Sequence, residues 1–444
     1  MRSRSSKAAT AAVALALAGG AMVPAAAAPR PDADGVWRVR GYGAVVSVAD
    51  GRLQEYQTSA VGCVKGDSAE RTARGVFTAA DGTVLTVRPS GALHVAGSPG
   101  DRQLQRLAGL PEACTHPSPD DPLTTFDVFW QSFEEHYPFF AAKGIDWHEV
   151  RHTYRPKVHA DTTRDELFAF FSEMVRPLYD AHVAVLDGDR YFAQVRPGTV
   201  MPSEELDTRI KDHVVRRDLG GVEPQEFANG RISYADLTGG QGYLRISGFA
   251  GYDRQDPSYA AQLAELETAL DTVLTAGRTA SLKGLIIDLR INGGGSDELG
   301  LRIAERLTDS PYLAYRKRTR YTRPQSIPVV PARDTPRYNG PVAVLTAGTT
   351  VSAGETFTQA LIDRPGRTVR IGEPTQGVFS DALDRRLPNG MEVWLPNEEF
   401  LTRSGRTFDG AGIPPHIRTP VFTEEEFADN RDSAFDTAVA VLRR

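Results

Sequence analysis

The sequence predicts an α/β protein preceded by a small β-domain. Three observations carry that reading. Residues 35–113 hold short apolar runs divided by Asp-Gly pairs. Beyond about residue 240, apolar strand-like runs alternate with amphipathic helical ones, the pattern of a partly parallel sheet. With 41% hydrophobic and 24% charged residues, the 444-residue chain can bury a sizeable core and is too apolar for wholesale disorder. Its length suits two to three domains at about 150 residues each.

Taken in order, the chain opens like a secretory signal peptide, residues 1–27. Arg2, Arg4 and Lys7 precede an apolar run from Ala8 to Val23, and small residues follow at Pro24–Ala28. No later apolar run reaches the ~20 residues needed to span a bilayer, so a secreted protein free of the membrane after cleavage is expected. An oxidising destination makes Cys63 and Cys114 an expected disulfide. Two cysteines cannot build a four-thiolate zinc site or an iron–sulfur cluster. A net charge of −6 offers no basic face for nucleic acid.

The β-domain, 30–115, is expected to use strands Val36–Val48, Gln54–Ser59, Ala73–Thr78 and Val84–Val87, with Asp50-Gly51 and Asp81-Gly82 as turns. His116-Pro-Ser-Pro-Asp-Asp-Pro122 reads as a linker, 116–124. From Thr125 to about Leu186 the spacing of Phe126, Trp130, Phe133 and Tyr137 is helical, a cap over 125–200. The remainder, 201–444, alternates. Strands are expected at Gly242–Phe249, Gly284–Leu289, Val342–Thr346, Val369–Gly372 and Met391–Leu395, and helices at Pro257–Thr275, Asp297–Leu307 and Ala353–Asp363. Thr423-Glu-Glu-Glu426 resembles a capping box opening a last helix to Val441.

Three motifs compete for the chemistry. His148-Glu149-Val-Arg-His152 matches the H-E-x-x-H pattern of zinc metallopeptidases, two imidazoles on one helix face with Glu149 as base. It lacks a clean third ligand, and Arg151 would set a cation beside a dication; an amphipathic helix burying Trp147, Val150 and Tyr154 explains it better. Asn292-Gly293-Gly294-Gly295 joins a strand to a helix without nucleotide-binding spacing. It is either an oxyanion site built from backbone N–H groups or a tight turn needing φ > 0. Ser352-Ala-Gly-Glu355 puts a hydroxyl at a helix N-terminus, which suits a nucleophile and equally a capping box worth ~1 kcal/mol. A serine nucleophile needs a base. Among nine histidines, His182, at the end of an apolar run, is the candidate, with a satisfied core or capping histidine as the alternative.

Jointly, Asp180-Ala-His182, Gly242-Tyr-Leu-Arg-Ile-Ser-Gly-Phe249, Asp288–Gly295, Ser352–Glu355, Gly372–Gly377 and Gly410-Ala-Gly-Ile-Pro-Pro415 resemble, in that order, the C-terminal-processing (tail-specific) serine peptidases. The closer likeness is to the branch of tricorn-core and interphotoreceptor retinoid-binding-protein-like domains, over about 125–420. The resemblance implies a crotonase-like, ββα-superhelix core under a helical cap, no metal or cofactor, and a peptide or unfolded protein as substrate. It implies Ser352 as nucleophile. The lysine of the Ser–Lys branch is missing from Gly372–Asp381, so the implied base is His182. The implied orienting acid is Asp409, where the family usually has Glu. Oxyanion donors would come from Gly294 or Gly295 and from Ala353, with Glu355 shaping the site. The fifty residues between Tyr191 and Gln241 leave no room for the PDZ domain many relatives carry. A non-catalytic peptide- or ligand-binding protein on the same fold is the alternative.

Overall fold

The computed structural model describes residues 33–443 apart from 117 and 380, and the expected signal peptide lies outside that span. Among the described residues no helix is long and apolar enough to cross a membrane.

The N-terminal strands close into an eight-stranded barrel. Gly35–Val39 pairs with both Ala44–Ala49 and Arg102–Leu107, which leaves no open edge. The single strand expected over Val36–Val48 is in fact two, because Gly41 and Gly43 take φ of 85° and 55° and reverse the chain between them. Gly62–Ala73, Ala92–Val95 and Arg102–Leu107 are strands the apolar pattern did not announce. In the twelve-residue Gly62–Ala73 only Cys63 and Ala69 are buried, so its sequence reads as polar. Cys63 and Cys114 form the expected disulfide, with Cα atoms 5.1 Å apart.

Helix Pro122–His136 starts inside the expected linker, with Pro122 at its first position and the Asp121 carboxylate accepting the Thr124 N–H. With Trp147–Tyr154 and Arg164–Val175 it buries an aromatic core in which Phe129 stacks on Phe171 at 3.9 Å. The helical stretch ends earlier than the pattern suggests. After Val175 a short 3-10 turn leads to Tyr179 at φ 45°, and Ala184–Asp187 is a strand. It pairs with Arg190–Ala193 and with Glu392–Pro396, so a four-stranded sheet under the cap helices draws two of its strands from 382–396.

The central sheet has seven strands in chain order: Gln225–Phe227, Ile232–Asp236, Gln241–Ile246, Gly284–Asp288, Val342–Thr346, Thr368–Gly372 and Ile417–Arg418. From Gln241–Ile246 onward every neighbour is parallel. Leu285, Ile286, Ile287 and all of Val342–Thr346 are buried, as continuous apolar runs in a sheet covered on both faces should be. The C-terminal ends of three adjacent parallel strands therefore deliver the glycine turn, the Ser352 turn and the 373–379 segment to one edge, where open parallel sheets present their sites.

Candidate active site

The glycine turn is built by Asn292. Its side-chain amide donates to the Ile246 carbonyl at 2.9 Å, and its Oδ1 accepts the Gly294 N–H at 2.9 Å. Its own carbonyl accepts the Val351 N–H at 2.9 Å, tying the glycine turn to the serine turn. Thr350 Oγ1 adds a bond to the Leu289 carbonyl at 2.7 Å. Upstream, Arg290 is fully buried between Asp288 and Asp432, each within 2.7 Å, so Asp288-Leu-Arg290 anchors the strand end.

Ser352 sits at φ 55°, ψ −119°, outside the extended region where helix caps normally lie. The Glu355 carboxylate accepts the Ser352 N–H at 3.3 Å, as a capping box requires, but the strained turn turns the serine toward the glycines. A Cβ on Gly294 would lie 2.6 Å from Ser352 Cβ and 3.2 Å from its Oγ, and Gly294 itself has φ 86°. Glycine is needed here on both counts. A Cβ on Gly354 would meet Asn292 Oδ1 at 2.6 Å, which accounts for the small residue after Ala353.

The backbone donors around Ser352 differ in what they meet. The Gly294 N–H is taken by Asn292 Oδ1. The N–H groups of Gly295 and of Ala353, the first residue of helix Ala353–Ala360, meet no acceptor among the described residues. Two unspent backbone donors thus flank Ser352.

Glu355 is completely buried and holds the next segment: Oε1 accepts the Gly377 N–H at 2.6 Å and Oε2 the Val378 N–H at 2.8 Å. Burial pushes its carboxyl up to about 7, against the Thr375 hydroxyl and the backbone donors that favour the charge. The glycines of the two remaining motifs explain each other. A Cβ on Gly412 would lie 2.0 Å from the Thr375 carbonyl oxygen, and one on Gly377 would lie 2.9 Å from the backbone of Gly410. Gly410 N–H donates to the Gly377 carbonyl at 2.7 Å, so 372–377 and 410–412 pack backbone to backbone and bring Asp409 alongside.

His182 is half-buried in the turn after Tyr179 rather than at a helix end, and its backbone N–H donates to Asp180 Oδ1 at 3.1 Å. Asp180 also accepts the Tyr137 hydroxyl at 2.8 Å and lies 3.8 Å from Lys143 Nζ. Asp409 joins this group: its residue is only half-buried, yet both carboxylate oxygens are shielded from solvent. Burial, with the charge of Asp180 next, pushes the Asp409 carboxyl well above the usual carboxylate range, Lys143 opposing and Glu355 adding. The charges of Asp180 and Glu355 thus both bear on the Asp409 carboxyl. In the D-x-H pattern the sequence points to the histidine; the cluster of its aspartate with Tyr137 and Lys143 has no local signal in the chain.

The H-E-x-x-H match is an ordinary exposed helix face. The His148 side chain is 73% exposed, His152 is exposed too, and Arg151 pairs with Asp127. Trp147 is buried, and Val150 and Tyr154 pack against the same core. Among the described residues no three potential ligands converge on one point.

A cleft of about 1490 Å³ runs beside the turn, with Gly293, Gly294, Gly295, Ser247 and Gly248 among its walls. Ser352 and His182 are not among them.

Residues 240–419 match the family model described as peptidase family S41, and residues 119–176 match the tricorn protease C1 domain. Among solved structures, a candidate peptidase from Parabacteroides merdae aligns with a TM-score of 0.61 at 24% identity, over 73% of this chain and 97% of that one. A mutant of CPAF aligns at 0.52 and 12% identity, over 73% and 98%. The photosystem II D1 C-terminal processing protease aligns at 0.43 and 16% identity, over 67% and 93%. Among curated proteins none matches.

Proposed function

We propose that this chain, whose residues 240–419 match the family S41 peptidase model, is an exported serine peptidase of the C-terminal-processing kind with Ser352 as nucleophile, His182 as base and Asp409 as its orienting acid. The observation that carries this reading is Ser352 at φ 55° between the two unspent N–H groups of Gly295 and Ala353. Ser352 Oγ attacks a peptide carbonyl carbon while His182 takes the hydroxyl proton, and the oxyanion accepts from Gly295 and Ala353. Collapse breaks the C–N bond, and the leaving amine takes its proton from His182. Water, deprotonated by His182, then attacks the acyl carbon and releases Ser352. In this reading Asp409, next to the 410–412 loop, is the acid that favours the imidazolium formed in each half.

The parallel strands from Gln241 to Arg418, with helices between them, support a crotonase-like core, 201–444, under a cap, 125–200, and behind a barrel domain, 30–115. The leader and the disulfide support export.

A fluorophosphonate probe tests the assignment. Wild-type protein should be labelled at Ser352, and Ser352→Ala should lose both labelling and hydrolysis of labelled casein while keeping its melting temperature. Turnover by a well-folded Ser352→Ala protein overturns it.

A further inference from the structure

The barrel is fastened to the peptidase region at the turn 96–101, between strands Ala92–Val95 and Arg102–Leu107. Gly97 stands in this turn at φ 89°. Its carbonyl accepts Ser296 Oγ at 2.7 Å and the Glu298 N–H at 3.3 Å, and its own N–H donates to Glu298 Oε2 at 3.1 Å. The next residue, Ser98, donates its hydroxyl to Asp381 Oδ2 at 2.8 Å and accepts from Lys317 Nζ at 3.3 Å. A side chain on Gly97 would begin 3.2 Å from Ser296 Oγ, so both conformation and space reserve the position for glycine.

Both partners lie next to groups the reaction uses. Ser296 directly follows Gly295, and Asp381 follows the segment whose Gly377 and Val378 N–H groups hold Glu355. From the inner side the glycine turn is held by Phe249, whose N–H donates to Gly294 and whose carbonyl accepts from Ser296, at 2.7 and 2.9 Å. From the outer side it is held by the barrel. A groove of about 310 Å³ between barrel and core also ends on Gly295 and Ser296. Consecutive glycines have little stiffness of their own, and an oxyanion donor works only when aimed beforehand at the position the oxyanion will take.

We propose that this barrel corner is a positioning element of the active site: Gly97, through the Ser296 hydroxyl, and Ser98, through Asp381, aim the Gly295 N–H and steady the Glu355-holding segment beside Ser352. The inference rests on the Ser352 reading. It gives the barrel a part in the reaction that no feature of the barrel's own sequence suggests.

Full-length Ser296→Ala, Ser296→Thr and Ser98→Ala proteins test it, with labelled casein and a fluorophosphonate as probes. Misaiming one backbone donor should lower kcat about 10- to 100-fold in Ser296→Ala, with KM within about twofold, and slow fluorophosphonate labelling by a similar factor. Ser296→Thr keeps a hydroxyl and should restore most of the rate; Ser98→Ala should show a smaller kcat loss of the same kind. If Ser296→Ala fails to fold, Ser98→Ala reads the coupling through Asp381. Wild-type kcat per titrated active site in folded Ser296→Ala or, failing that, in Ser98→Ala overturns the positioning role, as does a loss in which Ser296→Thr is no better than Ser296→Ala. Hydrolysis surviving in Ser352→Ala overturns the underlying site instead, so the two failures are distinguishable.

Discussion

At Ser352 the chain keeps a non-glycine residue in a backbone region that costs on the order of 1–3 kcal/mol. It persists because Asn292, Thr350 and Glu355 hold the turn from three sides. Glu355 brings a pH dependence with it. Its carboxyl rises from 4.5 to about 7 on folding, so the folded state binds the proton more tightly. That contribution is complete below about pH 4.5 and is lost as pH rises through about 7, on the order of 3 kcal/mol in all. Glu355→Gln should therefore flatten the fall in melting temperature over that window, seen by thermal melts at several pH values. Asp409 carries the second residue-scale prediction. Removing the carboxylate from the analogous triad costs about four orders of magnitude in turnover. Here burial and Asp180 resist the Asp409 charge, so less imidazolium stabilisation is available to lose. Asp409→Asn should cost about two orders of magnitude in kcat, with a melting temperature no lower than wild type because a repelled carboxyl is gone. Turnover and active-site titre on one preparation check it.

Among the elements, the strand-to-turn unit Gly284–Gly295 depends on the fully buried Arg290. It donates to Asp288 and to Asp432, and Asp432 also caps the last helix by accepting the Phe435 N–H at 2.8 Å. Asp432→Asn keeps the cap and the shape but removes one charge. Breaking a buried pair outright costs about 3–5 kcal/mol. Asp218, whose carboxyl burial and Asp432 push up to about 8, can ionise once Asp432 is gone and replace part of that charge. The expected loss is therefore about 2 kcal/mol in urea melts, with kcat falling as the turn beneath Gly294 loosens.

For the whole molecule, barrel, cap and core are joined by contacts far apart in sequence. Tyr42 of the barrel bonds to Glu398, Arg385 donates to the Gly43 and Thr58 carbonyls at 2.8 Å, and Arg320 reaches the Glu134 carbonyl in the cap. The disulfide ties barrel strand Gly62–Ala73 to the chain leading into the cap, across a separation of 51 residues. Non-reducing peptide mapping should recover Cys63 and Cys114 as one fragment pair. Chain entropy gives such a link roughly 4 kcal/mol, so reduction should lower the unfolding midpoint markedly.

By itself the sequence determined what local patterning can encode. The buried runs Gly284–Asp288 and Val342–Thr346, the helix behind Ser352, the glycines that must turn and the aromatic stripe of the cap were legible, because side-chain period and turn chemistry act within a few residues. So was the disulfide, since only two cysteines exist. Tertiary structure decided the rest. Gly62–Ala73 is a strand because its neighbours in a closed barrel take up its hydrogen bonds, although its side chains are polar. Ala184–Asp187 is a strand held on one side by the nearby Arg190–Ala193 and on the other by Glu392–Trp394, far along the chain. The Gly294 N–H is bonded while, among the described residues, that of Gly295 is not, because Asn292 turns back on the adjacent backbone. Asp180, Asp409 and Glu355 share one buried neighbourhood only because three loops meet at a sheet edge. Those outcomes depend on which distant segments satisfy each other's polar groups and fill the same space, and no short-range pattern in the chain records that.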